Sequence, residues 1–472
     1  MIEDPTVTEE LAGEDAMTAA RAVGRPAASA RAAADAAERA FPCWSAIPPA
    51  ERSALLKRAS ELLMERQALI AELVTDETGG TLWWGMFNVK LGAEMLSYYA
   101  GETDALAAEV QKIPSHIPGK RAMAVRQPVG VVVGIVPWNA PVILGVRALA
   151  APLAYGNAVV LKASEQCPRT HAAIVHSLRD AGVPSGAIEL VINEPEDAAE
   201  VVEELIVHPA VRRISFTGST RVGRIVAEKA GRHLKRVLLE LGGKAPMIVL
   251  ADADLERVVA AANFGAFMHQ GQICLSTERI VIDRSVADEV TDKLRERASL
   301  LTVGDPLEPS TQIGPLVSDD ALRRVTELVQ DAISKGAKVV CGGKAEGRCY
   351  EPTVLTGVTP HMRIYYEESF GPVVVIVPTN DAEEAIRVAN DTEYGLSSAV
   401  FSADEDAAMY VARRLETGVC HINDTTINDE PQMPLGGVKA SGWGRFGGKA
   451  ALEEFTELRW ITIQDCPRQY PI

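Results

Sequence analysis

From residue 129 onward, short apolar runs alternate with amphipathic segments, and this alternation constrains the fold more than any other feature. VGVVVGIV at 129–136, AVVLK at 158–162, IELVI at 188–192, RRISFT at 212–217, RVLLEL at 236–241 and PMIVL at 246–250 read as strands. Between them, segments beginning at Pro141, Pro168, Glu196 and Ser219 carry helical periodicity, two of them with proline in the first turn. Nearly continuous apolar strands separated by helices are the pattern of a parallel sheet covered on both faces. A second alternating region runs from about 253 to 445. The expected class is therefore α/β, and 472 residues suggest about three domains. Two flanking regions add helices. The alanine-rich stretch 18–40 reads as a surface helix after Pro26, ending before Pro42. Leucines over 51–75 fall on one amphipathic helical face. The tail from Phe455 to Ile463 alternates like a strand but has no neighbour to pair with, so an antiparallel arm reaching something distant, or another subunit, is expected.

Composition excludes several function classes. Lys and Arg number 47 against 64 Asp and Glu, a net charge of −17, which disfavours nucleic acid and anionic lipid as partners. The most apolar run, Val129 to Trp138, holds two glycines and a proline and falls far short of the roughly 20 residues a span requires. The acidic opening MIEDPTVTEE does not read as a secretory signal. Seven scattered cysteines with no CxxC pair, and no HExxH, point to reduced thiols, a cytoplasmic address and no metal site.

Four motifs carry chemistry. Phe216-Thr217-Gly218-Ser219-Thr220-Arg221-Val222-Gly223 runs from a strand through a glycine turn into a helix, where backbone N–H groups meet a pyrophosphate. Its GxxxxG spacing is not the common dinucleotide fingerprint, and alone it reads equally as a tight turn. Lys162-Ala163-Ser164-Glu165 ends a strand, where a carboxylate accepting from a ribose hydroxyl favours NAD over NADP; the plain alternative is a solvated charge pair. Glu240 lies inside the apolar LELGGK strand, where burial raises a carboxyl's pKa toward that of a general base, unless backbone N–H groups simply hold it. Cys274 follows a helix broken by HQGQI, which makes it the best nucleophile of the seven cysteines, although a free cysteine is more often a small core residue.

Taken together these motifs resemble the aldehyde dehydrogenase superfamily over nearly the whole chain. The separation of Glu240 and Cys274, Pro137-Trp138-Asn139, Glu367 to Pro372 (EESFGP), NDTEYGLS from Asn390 and Pro434-Leu435-Gly436-Gly437 all fall in the family's order. The resemblance implies Cys274 as nucleophile, Glu240 as general base and Asn139 in the oxyanion hole. It implies an NAD site of Trp138, Lys162, Glu165, Phe216, Gly218, Ser219, Val222, Leu241, Gly242, Glu368 and Phe370. Like charges raise each other's pKa, so Glu240 is expected to move or to work through water rather than face a thiolate throughout. The implied architecture is a Rossmann-like coenzyme domain (1–110 and 130–241), an α/β catalytic domain (242–445) and a small β oligomerisation arm (111–129 and 446–472). A homodimer or homotetramer follows.

The segments around Arg147, Cys420-His421-Ile422-Asn423-Asp424 and Asp429 to Pro434 are similar to the branch acting on salicylaldehyde, vanillin and benzaldehyde. The substrate this implies is an aromatic aldehyde. Arg147, on an apolar helix, either pairs with a carboxylate or meets a polar group of the substrate. Trp83 or Trp84 could line an aromatic slot, but adjacent tryptophans on a helix cannot both face inward, and Trp83 is taken as the candidate. Ile427 adds a wall. The alternative is an aliphatic or semialdehyde dehydrogenase with the same chemistry. A cofactor-free thioesterase and a non-catalytic paralogue are further readings, which the intact FTGST and KASE motifs and the retained Cys274 and Glu240 oppose.

Overall fold

Val131–Ile135 is buried along its whole length and pairs in parallel with Ala158–Lys162 on one side and Val211–Thr217 on the other. Such a strand tolerates only apolar residues on both faces, which is why it reads as an unbroken run. The computed structural model describes residues 26–108, 110–470 and 472. The acidic opening segment, the first part of the alanine-rich stretch and Pro471 of the tail lie outside the described residues. Ile188–Val191 and Arg236–Glu240 extend this sheet at its two sides. Gly442–Trp443 adds a sixth strand, antiparallel to Arg236–Glu240. A second sheet of seven strands is parallel except at the edge, where Lys338–Cys341 runs against Thr353–Thr356. Its central strands, Ala245–Val249 and Thr277–Asp283, flank the Cys274 loop in sequence. The fold is mixed α/β with parallel-sheet domains, as the alternation requires.

The helix Pro141–Ala154 is buried at all 14 positions. Pro141 sits in its first turn, where no N–H is missed. The alanine-rich helix spans Pro26–Ala46 and runs through Pro42 rather than ending before it. Trp44, 1% exposed, is buried beyond the proline and anchors the last turn. Nor is this helix merely superficial: Ala30, Ala33, Ala34 and Ala37 pack with Val131, Val133 and Val160. The leucine-rich stretch is two helices, Pro49–Glu65 and Gln67–Thr78, because Arg66 leaves helical geometry at φ −98° and ψ 10°.

The tail strand Thr456–Gln464 finds its distant partner within the same chain. It pairs antiparallel with Lys120–Pro128, from Thr456 opposite Pro128 to Gln464 opposite Lys120. Gln111–Ile113 completes this three-stranded sheet. Among the described residues no helix is long and apolar enough to cross a membrane.

Candidate active site

The helix Leu255–Phe267 is followed by three residues in left-handed geometry, His269 (φ 48°), Gln270 (φ 56°) and Gly271 (φ 68°). This turn presents Cys274. Only glycine serves at 271, because a Cβ there would lie 2.1 Å from the Gly371 carbonyl oxygen. The glutamines hold the strained turn in place. Gln270 Nε2 donates to the Gly79 and Pro315 carbonyls, each at 2.9 Å, and Gln272 Oε1 accepts from the Val317 N–H at 3.1 Å. A Cβ on Gly243 would lie 2.4 Å from the Cys274 carbonyl oxygen, so the glycine after Glu240 allows the two segments to meet.

Glu240 ends its strand and is 2% exposed. Its Oε1 accepts from Cys274 Sγ at 2.9 Å. Burial pushes its carboxyl up to about 7, against the opposing effects of the Cys274 hydrogen bond and the Arg147 charge. Burial and the adjacent Glu240 raise the thiol well above its ordinary value. Two anions cannot stand side by side here. The geometry is direct thiol-to-carboxylate contact, with no intervening water needed, and a proton retained on sulfur removes the repulsion. Asn139 is held through its side chain and its backbone. Its Nδ2 donates to the Gln272 carbonyl at 3.0 Å, and its backbone carbonyl oxygen accepts from Trp84 Nε1 at 3.0 Å. The second amide N–H of Asn139 is left for a ligand.

Cys274, Glu240 and Asn139 line two cavities at once. The first, of about 480 Å³, is bounded by Trp138, Gly218, Ser219, Gly242, Glu368 and Phe370. Ser219 caps the helix Thr220–Arg232, its Oγ accepting from the Val222 N–H, so the helix opens toward the cavity. Free N–H groups and the positive helix end suit a pyrophosphate. A Cβ on Gly218 would lie 2.8 Å from the Phe216 ring, and one on Gly242 would lie 2.7 Å from Glu368 Oε2. Both glycines therefore keep this surface clear. Glu368 Oε1 accepts from the Gly243 N–H at 2.9 Å, and burial raises its carboxyl to about 7. Phe370, at φ 50°, meets Trp138 edge to face at 5.8 Å. These residues fit a nicotinamide dinucleotide. Lys162 and Glu165 form an ion pair away from this lining, and Asn193 Nδ2 donates to Glu165 at 3.0 Å. Phe216, Val222 and Leu241 act from behind: Phe216 and Leu241 pack in the core under the turn, and Leu241 fills the space that Gly223 leaves.

The second cavity, of about 360 Å³, is mostly apolar and carries Trp84, Phe87 and Phe264. The assignment of Trp83 is corrected. Trp83 is 57% exposed, whereas Trp84 is 3% exposed and lines the cavity. On the helix Leu82–Gly101 the inward position falls one residue later, and its indole N–H is satisfied by Asn139. Ile427 lines the cavity. Arg147 lines it too, but its guanidinium pairs with Asp429 and lies over the Phe446 ring at 5.3 Å. Of its two possible roles, the geometry realises pairing with a carboxylate. Sequence reasoning passed over Asp429, Phe87 and Phe264 here, and Arg324 and Tyr394 in the first cavity. Tyr394 lies within NDTEYGLS, which was a usable signal; Phe87 was legible only by its spacing from Trp84.

A model of the aldehyde dehydrogenase family matches residues 8–461. Vanillin dehydrogenase of Pseudomonas fluorescens is 53% identical over 443 residues, 94% of this chain and 91% of that protein. Salicylaldehyde dehydrogenase of Pseudomonas putida is 46% identical over 442 residues, covering 93% and 91%. The crystal structure of a salicylaldehyde dehydrogenase from Pseudomonas putida G7, complexed with salicylaldehyde, superposes with a TM-score of 0.92 at 45% identity, covering 94% and 92%. A half-buried thiol in contact with a buried carboxyl, two cavities meeting on it and matches of this length have one reading: the chain is an enzyme of the aldehyde dehydrogenase family.

Proposed function

We propose that this enzyme oxidises an aromatic aldehyde of the salicylaldehyde, vanillin or benzaldehyde type to its carboxylic acid, with NAD as hydride acceptor. The observation that carries the reading is the placement of Cys274 and Glu240 where a dinucleotide-sized cavity meets an aromatic-walled one. The names of the relatives at 46–53% identity support the aromatic substrate.

Glu240 accepts the thiol proton as Cys274 Sγ bonds to the aldehyde carbon, so no free thiolate persists beside an ionised carboxylate. The carbonyl oxygen becomes an oxyanion facing Asn139 Nδ2 and the Cys274 backbone N–H; one such donor is typically worth about 3 kcal/mol. A nicotinamide dinucleotide held by Trp138, Gly218, Ser219, Glu368 and Phe370 would supply the hydride acceptor, and loss of hydride from the substrate carbon would leave a thioester on Cys274. Glu240, once it has released its proton to solvent, takes a proton from water. That water attacks the thioester carbon, the C–S bond breaks, and the sulfur leaves to recover a proton. A carboxyl near 7 suits both transfers.

The choice of NAD over NADP rests on Glu165, whose carboxylate repels a 2′-phosphate. A homodimer or homotetramer is supported by the exposed apolar side chains of the last strand, Leu458, Trp460, Ile461 and Ile463. A reducing, cytoplasmic setting is supported by the odd number of scattered cysteines. Replacing Cys274 with Ala tests the core of the reading. Aldehyde oxidation should vanish while NAD still binds in a fluorescence titration. Residual turnover above about one thousandth of the wild-type rate would remove Cys274 as nucleophile.

A further inference from the structure

Among the polar groups of the second cavity that the chemistry at Cys274 does not use, the pair of Arg147 and Asp429 stands apart. Asp429 and Arg147 both line this cavity and form an ion pair through Asp429 Oδ2. Arg147 is committed, with one edge on Asp429 and its face over Phe446. The pair carries no net charge, so this wall offers no free cation to a distal carboxylate. The nearby carboxylate Asp424 is partnered, accepting from the Thr425 N–H at 2.8 Å and from Asn428 Nδ2 at 3.4 Å. Asp429 Oδ1 is different. Among the described residues lining this cavity, it is the one buried side-chain polar atom with no hydrogen-bond partner. A buried orphan acceptor destabilises the protein, and a ligand donor of matching position relieves that penalty. A carboxylate is an acceptor only, so the complementary group is a donor.

We propose that Asp429 Oδ1 accepts a hydrogen bond from a hydroxyl on the substrate's ring, which makes hydroxylated aromatic aldehydes the preferred substrate class. The inference rests on the aromatic reading above and narrows it. A ring hydroxyl gains the bond, a methyl ether at the same position has no proton to give, and a ring carboxylate is repelled. Arg147 serves by orienting Asp429, with its charge neutralised in the pair.

The test uses the Cys274→Ala protein, which binds aldehydes without turning them over. Affinities for ortho-, meta- and para-hydroxybenzaldehyde, their methyl ethers, their carboxylate counterparts and benzaldehyde are measured by quenching of tryptophan fluorescence. At least one hydroxyl isomer should bind about tenfold or more tightly than its methyl ether and than benzaldehyde, and no carboxylate should gain. Adding Asp429→Leu together with Arg147→Met removes both charges, so neither is stranded. The hydroxyl-to-ether ratio should then fall below about twofold. Equal binding of every hydroxyl isomer and its ether in the Cys274→Ala protein overturns the proposal, even if the triple variant does not fold. A ratio that survives the paired replacement overturns it as well. Steady-state rates of the unaltered enzyme separate the two levels. If benzaldehyde is a good substrate but no hydroxyl is favoured, only the Asp429 role fails. If hexanal outperforms every ring aldehyde, the aromatic reading fails and this inference falls with it.

Discussion

Replacing Glu240 with Gln separates the stability of the site from its chemistry. The carboxyl is moved by burial from 4.5 to about 7. At about 1.4 kcal/mol per tenfold change in equilibrium, ionised Glu240 costs the folded state about 3 kcal/mol. The sign follows from which state ionises first. The unfolded chain releases this proton near pH 4.5 and the folded chain near 7, so the unfolded state gains as pH rises through that window. Below about pH 4.5 the penalty is absent, and above about pH 7 it is complete. Glutamine keeps the shape and never ionises. The stability of Glu240→Gln relative to wild type should therefore rise by up to about 3 kcal/mol between pH 4.5 and pH 8. Urea unfolding of both proteins at several pH values measures the difference, and titrations elsewhere in the chain cancel. On the proposed mechanism the same variant, lacking the base assigned to deacylation, should release about one equivalent of reduced cofactor per active site and then stall. A stability difference independent of pH would refute the buried, shared-proton account, and full steady-state turnover would refute the deacylation role.

Two further replacements probe the cavities. If Glu165 selects NAD as proposed, Glu165→Gln should raise the ratio of NADP to NAD use by about tenfold in kcat/KM; an unchanged ratio would show that Glu165 does not select the cofactor. Trp84→Ala should lower kcat/KM for ring aldehydes by about tenfold or more, because it opens the cavity wall and frees the Asn139 carbonyl, whereas Trp83→Ala should stay within about twofold. The opposite order would restore Trp83 as the substrate contact.

Much of this architecture is legible in the sequence, for a physical reason. A parallel strand buried on both faces must be apolar along its length, so Val131–Ile135 and Ala158–Lys162 declare themselves. Residues that break a pattern at a cost are equally legible. Glu240 in an apolar strand and glycine and glutamine before Cys274 stand out because each interrupts the local pattern at a cost. Local helix rules were weaker where tertiary packing decides. Pro42 did not end its helix, since Trp44 buries beyond it, and Arg66 broke a run that periodicity alone would continue. Partners distant in sequence were not readable. Nothing in the order of residues joins Arg147 to Asp429, 282 positions away. The same applies to which of two adjacent tryptophans faces inward, because a shift of one position rotates a helical side chain by about 100°.

The most direct test of the account is NADH formation by the purified enzyme with NAD⁺ and a panel of salicylaldehyde, vanillin, benzaldehyde, hexanal and succinic semialdehyde, each over a range of concentrations. kcat/KM should be at least about tenfold higher for the ring aldehydes, a transition-state preference of about 1.4 kcal/mol. Equal or higher values for hexanal or succinic semialdehyde would contradict the aromatic assignment of the Trp84-walled cavity, while leaving the chemistry at Cys274 standing.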